Sequence, residues 1–326
     1  MAKTNRCVDI DFQKQFDQIG DRYLLGMAKL GLAAGNEITD PEFHREGRRK
    51  AGESIHNLVT KADFASELII LTSLHKAHRD ALFLAEENIR ESGLQSGFEE
   101  VALTAENYQR ILDCALAFCI DPLDGTAQYA RDLYEYSISI GAIERGVHQS
   151  GVIWAPETKG GLLVFGSRGK GIRTARGEPF AGWSVNVSRI TEDKTIKECV
   201  VLYGVDLPKN TSYYRLLNKL ATNCQTANSM GSCALGLALV ASGYVDGFVQ
   251  APQMPWDWAA GYPLVEEAGG KVQFYEIIDG KIDLLDKPEV RHYNPGHKSA
   301  GFIAGNPRLV EELTRWLVED YGRSVE

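Results

Sequence analysis

Hydrophobic positions change their spacing three times along the chain, and each change predicts a different kind of structure. Over residues 10–35, and again over 63–76, they recur at helical spacing. In the second segment Phe64, Leu68, Ile69, Leu71 and Leu74 give a wide apolar face. Asp63 stands where that second helix begins, a position that favours aspartate as N-cap. Short continuous apolar runs over 81–85 and 115–120 have the length of buried strands. The first delivers Glu86 and Glu87, and the second delivers Asp121 and Asp124, all expected at strand ends.

From 136 to 174 the rhythm becomes strand–turn–strand, with runs at 137–143, 151–154 and 162–165 broken by Arg-Gly, Ala-Pro and Gly-Gly turns. This predicts an antiparallel meander. Past Ser188 strands alternate with helices: 199–203, 225–227, 247–250, 271–274 and 301–304 as strands, and 211–221, 233–242, 257–268 and 307–319 as helices. Such alternation belongs to an α/β layer. The expected division is therefore an α+β half over 1–188 and an α/β half over 189–326. The stretch 283–298 carries no readable pattern.

Composition narrows the function. With 326 residues, 44% hydrophobic and 24% charged, the chain has ordinary globular make-up. A net charge of −9 argues against a nucleic-acid footprint. The six cysteines show neither CxxC nor His-paired spacing, and four sit within apolar runs as small buried hydrophobes. Residues 1–20 lack the apolar core of a signal peptide, and the longest apolar stretch is far too short to span a bilayer, so a cytoplasmic protein without membrane contact is expected.

Two stretches carry the chemistry. Asp121-Pro122-Leu123-Asp124-Gly125-Thr126 sets two carboxylates around a rigid proline, and Trp256-Asp257-Trp258-Ala259-Ala260-Gly261 sets a third between two tryptophans. Any one of these aspartates alone would pass as a turn or cap residue. Together with Glu86 and Glu87 they form a hard-oxygen donor set of the kind that suits Mg²⁺, which takes its remaining ligands from water and phosphate. A metal-dependent phosphatase is the reading. Gly125 and Thr126 would offer backbone N–H groups to the phosphate.

These residues resemble the inositol monophosphatase superfamily of Mg²⁺-dependent, lithium-sensitive phosphatases. The resemblance runs from about residue 58 to 270 through Leu58-Val59-Thr60-Lys61-Ala62-Asp63, Ala85-Glu86-Glu87, the Asp121–Thr126 stretch, Gly231-Ser232, the Trp256–Gly261 stretch and Glu267-Ala268-Gly269-Gly270, in family order. It implies a five-layered αβαβα sandwich and a homodimer. It also implies two or three Mg²⁺ ions held by Glu86, Asp121, Asp124, Asp257 and the Leu123 carbonyl, with Glu87 either helping to hold a weaker third ion through water or serving only as a hydrogen-bond acceptor behind the ligands. Asp63 and Thr126 resemble the pair that activates the attacking water. Gly231, Ser232 and Cys233 open a helix that faces substrate hydroxyls in the family, and Gln250 stands where inositol-selective members often carry Glu.

The sequence departs from the family pattern at Gln128 (usually Asn), Asp132 and Ala85 (both frequently Gly). Arg131 and the histidines are expected at the surface or as caps, and Gly166, Gly169 and Gly171 as a turn between strands. The resemblance implies a small phosphorylated substrate, inositol 1-phosphate first. A 3'(2'),5'-bisphosphate nucleotidase, a histidinol-phosphatase and a fructose-1,6-bisphosphatase are the alternatives on the same fold. From another class, a regulatory protein acting through RNA polymerase or the ribosome is the rival.

Overall fold

Gly20, held at φ 63°, interrupts what the spacing predicts as one N-terminal helix and leaves two, α1 (Ile10–Ile19) and α2 (Leu24–Ile38). The Asp21 carboxylate then caps α2, accepting the N–H groups of Tyr23 at 2.8 Å and Leu24 at 3.2 Å. The computed structural model describes residues 10–40, 43, 47–49, 58–87, 104–177, 183–191, 194–204, 211–288 and 300–322.

A short antiparallel pair, β1 (Arg48–Arg49) and β2 (Leu58–Val59), precedes α3 (Lys61–Ala77). Next come β3 (Leu82–Ala85), α4 (Ala105–Asp113), β4 (Ala117–Asp124) and the single turn α5 (Thr126–Tyr129). The meander follows as β5 (Ser137–Glu144), β6 (Val147–Ala155), β7 (Leu162–Ser167), β8 (Gly171–Arg176) and β9 (Ser184–Val187). β3 to β9 form a seven-stranded sheet in sequence order, antiparallel except for β3 beside β4.

The rest of the chain builds a second sheet. Its elements are β10 (Val200–Tyr203), α6 (Thr211–Asn223), β11 (Thr226–Asn228), α7 (Cys233–Ala241), β12 (Gly247–Gln253), α8 (Pro255–Trp258) and α9 (Gly261–Glu267). They continue through β13 (Lys271–Ile278), β14 (Lys281–Leu285), β15 (Ala300–Gly305) and α10 (Pro307–Gly322). The strand order is β11-β10-β12-β15-β13-β14, parallel around β10 and antiparallel beyond β12.

The apolar faces set the layer order. One core cluster joins α1, α2 and α3 to the outer face of the seven-stranded sheet through Phe16, Met27 and Leu71. A second lies between the sheets and is filled by α7, α8 and α9, with Leu237, Trp258 and Leu264 fully covered. A third packs α6 and α10 on the far face of the six-stranded sheet through Leu216 and Leu313. The result is helix–sheet–helix–sheet–helix, the five-layered sandwich expected. α7 is apolar on every side because both sheets cover it.

Three local expectations need correction. Residues 257–268 form two short helices, α8 and α9, instead of one. Their joint at Ala259 and Ala260 lies flat on the first sheet, where Gly141 and Gly151 face each other across the β5–β6 ladder. A Cβ on Gly151 would collide with the Ala260 carbonyl oxygen, and one on Gly141 would stand 3.0 Å from the Ala259 carbonyl carbon. The patternless stretch starts inside β14, and its residues 289–298 lie outside the described residues. Finally, β4 does not stop at residue 120 but runs on through both aspartates.

Candidate active site

Two side chains three residues apart on a regular strand point to opposite faces. In β4 the register shifts between them: Asp121 pairs with Ser139, and Asp124 pairs with Ser137. Three steps along β4 thus match two along β5, a bulge that turns both carboxylates to the same face. Pro122 suits the bulge because it has no N–H to withdraw from the ladder. Its carbonyl instead accepts the Ser66 hydroxyl at 2.6 Å, and the Asp121 carboxylate accepts the Leu123 N–H at 3.0 Å. Gly125 then leaves the strand at φ 93°, where a Cβ would come within 2.8 Å of the Glu135 carbonyl oxygen.

The third carboxylate arrives from the other half of the chain. Pro255 starts α8, and the Asp257 carboxylate accepts the Met254 N–H at 2.7 Å, which fixes its side chain toward the sheet. One carboxylate oxygen each from Asp121, Asp124 and Asp257 fall within 4.8 Å of one another, all buried. Asp124 is further held by the N-terminus of α7. The Ser232 hydroxyl donates to its Oδ2 at 2.7 Å, and the Ala234 N–H donates to the same oxygen.

Asp63 stands beside this group, fully buried. It is not the N-cap of α3. Thr60 is, and Asp63 is the third helical residue, whose Oδ2 accepts both the Thr60 N–H at 2.7 Å and the Thr60 hydroxyl at 2.6 Å. Its Oδ1 accepts the Thr126 hydroxyl at 2.9 Å, while the Leu123 carbonyl is the alternative acceptor at 3.0 Å.

The electrostatics are those of crowded negative charge. Burial, followed by the charges of Glu86, Asp124 and Asp257, pushes the Asp121 carboxyl well above the usual range. Burial likewise raises Asp124 to about 6, against the opposing bond from Ser232. Asp63 is also raised to about 6 by burial, with bonds from Thr60 working against it and the charge of Glu86 adding to it. A buried all-carboxylate donor set that resists its own ionisation fits a hard divalent cation, which would remove the repulsion.

These residues open onto a cleft of about 640 Å³. Its described lining contains Glu86, Asp121, Leu123, Asp124, Gly125, Thr126 and Asp257, together with Gly231, Ser232, Cys233 and Gln250. Glu86 belongs to the wall but not to the tight group of three, and Glu87 is not in the lining. The Glu87 N–H instead donates to Glu67 Oε2 at 3.0 Å. Gln128 lies against Gly231, and Gln250 against Gly204. Arg131 is exposed at the rim and donates to the Ala127 carbonyl. Asp132, at a position where the family often has glycine, adopts φ 56°, the conformation that glycine takes most readily. The turn holding Gly169 and Gly171 cradles the carboxylate of Glu267, which accepts both N–H groups at 2.7 and 2.8 Å.

Residues that the sequence did not single out also shape the site. Ser137 and Ser139 lie under the aspartates, and Ser66 under Pro122. His148 is buried beside Trp258, against the expectation of surface or cap histidines; His78 does cap α3. The missed signal is parity. β6 begins at Val147 rather than 151, and Ser137 and Ser139 are polar positions two apart in an otherwise apolar strand.

A five-layered sandwich with buried carboxylates gathered over a bulged strand, two on the first sheet and one delivered from the second half, defines the sugar-phosphatase class of fold. The chain belongs to the inositol monophosphatase family, whose sequence profile matches residues 24–309. It is 26% identical over 283 residues to the Nus factor SuhB of Escherichia coli, covering 86% of this chain and 90% of that protein. It is 28% identical over 288 residues to the Nus factor SuhB of Pasteurella multocida, with the same coverage of 86% and 90%. Among solved structures, the extragenic suppressor protein suhB of Bartonella henselae superposes with a TM-score of 0.66 at 26% identity, over 89% of this chain and 96% of that one. The Thermotoga maritima IMPase shares the fold with a TM-score of 0.66 at 23% identity, over 90% and 96%.

Proposed function

We propose that the protein is a Mg²⁺-dependent phosphomonoesterase acting on a small phosphorylated polyol, with inositol 1-phosphate as the first substrate. The observation that carries this reading is the convergence of Asp121, Asp124 and Asp257 within 4.8 Å, beside a Thr126–Asp63 hydrogen bond of 2.9 Å. Asp121, Asp124, Asp257, Glu86 and the Leu123 carbonyl would hold the cation, while Glu87, outside the described cleft lining, would take no direct ligand role. When bound, the cation offsets the carboxylate charge and polarises the phosphate.

The chain's own residues do the rest. Thr126 has one hydroxyl proton, and donating it to Asp63 leaves a lone pair on the cleft side to accept a proton of the attacking water. Thr60 holds Asp63 through two bonds, so the relay is set before substrate arrives. Gly125 and Thr126 lie at the cleft floor, where their N–H groups meet phosphate oxygens. Gly231, Ser232, Cys233 and Gln250 form the wall toward the leaving group. Every aspartate is occupied in holding the cation or the relay, so hydrolysis proceeds without a covalent phosphoenzyme.

Phosphate release by purified protein with Mg²⁺ tests the reading across inositol 1-phosphate, adenosine 3',5'-bisphosphate, histidinol phosphate and fructose 1,6-bisphosphate. Release from one of them supports it and selects the substrate. No release from any, by folded protein that binds Mg²⁺, counts against it. Inhibition by lithium and a homodimer are parts of the same reading, checked by the same assay and by light scattering. No described helix is long and apolar enough to cross a membrane, and the cytoplasmic location expected from the sequence stays part of the proposal.

A second reading rests on those relatives, which are named as Nus factors. In it the protein serves a transcription complex, with or without turnover. Stoichiometric capture of RNA polymerase or a Nus protein by tagged protein from its own cell extract would support it.

A further inference from the structure

Ser137 and Ser139 occupy the β5 positions directly across from Asp124 and Asp121. Both are fully buried, and the bulge in β4 makes them share a face with the two aspartates. Buried hydroxyls in a central strand are retained only with hydrogen-bond partners, since stranding one destabilises the fold. Neither serine spends its hydroxyl on its own sheet. Each reaches across to the segment that completes the site from the second half of the chain.

Ser137 Oγ lies 3.3 Å from Ser232 Oγ. Ser232 gives its single proton to Asp124 Oδ2 and accepts the Leu235 N–H, so Ser137 is the donor in the pair. A chain therefore runs from Ser137 to Ser232 to Asp124, between two residues that are themselves cross-strand partners. Ser139 donates to the Trp256 carbonyl oxygen at 3.3 Å, one residue before Asp257. The serine opposite Asp121 thus holds the peptide that delivers the third carboxylate.

We propose that Ser137 and Ser139 are positioning residues. They fasten the α7 N-terminus and the α8 segment to the floor of the first sheet, and so set the separation of Asp121, Asp124 and Asp257 for a divalent cation. The proposal rests on the cation-binding reading of those three aspartates. It adds two residues that touch neither cation nor substrate and act through Ser232 and the Trp256 peptide.

The test is calorimetric titration of the full chain with Mg²⁺ alone, before any substrate. Ser137→Ala and Ser139→Ala should each weaken Mg²⁺ binding about tenfold, the size typical of groups that hold metal ligands in place. Their unfolding midpoints in cation-free buffer should stay within about 3 °C of wild type, as for the loss of one weak hydrogen bond. In a Ser232→Ala background, Ser137→Ala should add nothing further, because the chain to Asp124 is already cut. Binding within twofold of wild type for both single variants would overturn the proposal, and so would additive loss in the double variant. Wild-type protein that binds no Mg²⁺ would instead overturn the phosphatase reading beneath it. The two failures are therefore distinguishable in one experiment.

Discussion

The Thr126 hydroxyl lies 2.9 Å from Asp63 Oδ1, joining residues 63 positions apart in the chain. The other oxygen of Asp63 is held by the main chain and hydroxyl of Thr60, so the carboxylate that completes the capping box of α3 is the one that would serve the proposed relay. Asp63→Asn puts an amide where two donors point. Phosphate release should fall about a hundredfold or more, the scale of a lost general base. The capping contribution, about 1 kcal/mol, should go with it. Mg²⁺ affinity should change by less than about threefold, since Asp63 is outside the group of three. Unchanged turnover would rule out the relay.

Asp121 is held well above its ordinary range by burial and by three neighbouring carboxylates. Asp121→Asn removes that repulsion and keeps the shape. In cation-free buffer the variant should unfold about 2 °C or more above wild type, as expected when a site is relieved of charge it carries for function. Added Mg²⁺ should raise the wild-type midpoint but leave the variant's unmoved. Thermal melts with and without Mg²⁺ decide it, and a variant less stable than wild type without cation would contradict the account.

The meander and the alternation beyond residue 188 were legible because each depends on local periodicity, whereas the layer order came from the family resemblance and not from spacing. The bulge was not legible. It inserts one residue into β4, and nothing in the apolar run of residues 115–120 marks where pairing with β5 slips. For the same reason the spacing of Asp121 and Asp124 was readable as a motif but not as a shared face. The break between α8 and α9 was passed over although Gly261 and Pro263 signal it. Pro263 has no N–H for the Ala259 carbonyl, so a continuous helix cannot run through the joint. The glycines of the β5–β6 pair are where the interrupted backbone is seated. Positions brought together from distant elements, such as Ser137 with Ser232, leave no trace in spacing.

His148 gives the fold an acid-sensitive point. Its ring sits 5.4 Å from Trp258 and 5.8 Å from Tyr262, with Tyr108 Oη 3.3 Å from Nε2. Burial lowers its pKa from 6.5 to about 4, opposed by the Ala259 carbonyl and assisted by the charge of Arg168. Between those values the unfolded imidazole holds a proton that the folded one refuses. Stability from this residue is therefore complete above pH 6.5 and lost as pH falls toward 4, by about 3 kcal/mol in all. Asp63 and Asp124, raised to about 6 from 3.8, act in the opposite sense when no cation is present. His148→Phe should flatten the acid-side loss relative to wild type when both are unfolded in urea at fixed Mg²⁺ from pH 7 to 5. Parallel curves would refute the assignment.

The contact between Gly151 and the Ala260 carbonyl leaves no room for a methyl group. Gly151→Ala must lift the α8–α9 joint from the sheet and carry Asp257 with it. The expected loss is about 3 kcal/mol or more, as for other overpacked interiors, together with most of the Mg²⁺-dependent stabilisation. Urea melts with and without Mg²⁺ check both parts. A variant that keeps the full Mg²⁺ effect would show that Asp257 does not depend on this seat.

That same seat fixes when the site comes into being. β4 carries two of the aspartates, but the third carboxylate follows 133 residues after Asp124 and is synthesised later. It can join them only once Ala259 and Ala260 have settled on Gly141 and Gly151. Under the proposed function, cation affinity would therefore be acquired at the end of folding, after the long-range closure that is slow to reach. Mg²⁺ should accordingly slow unfolding while leaving the refolding rate unchanged, and stopped-flow refolding that accelerates with Mg²⁺ would place the closure earlier. A nascent chain emerging through its first half would hold paired aspartates yet sequester no magnesium.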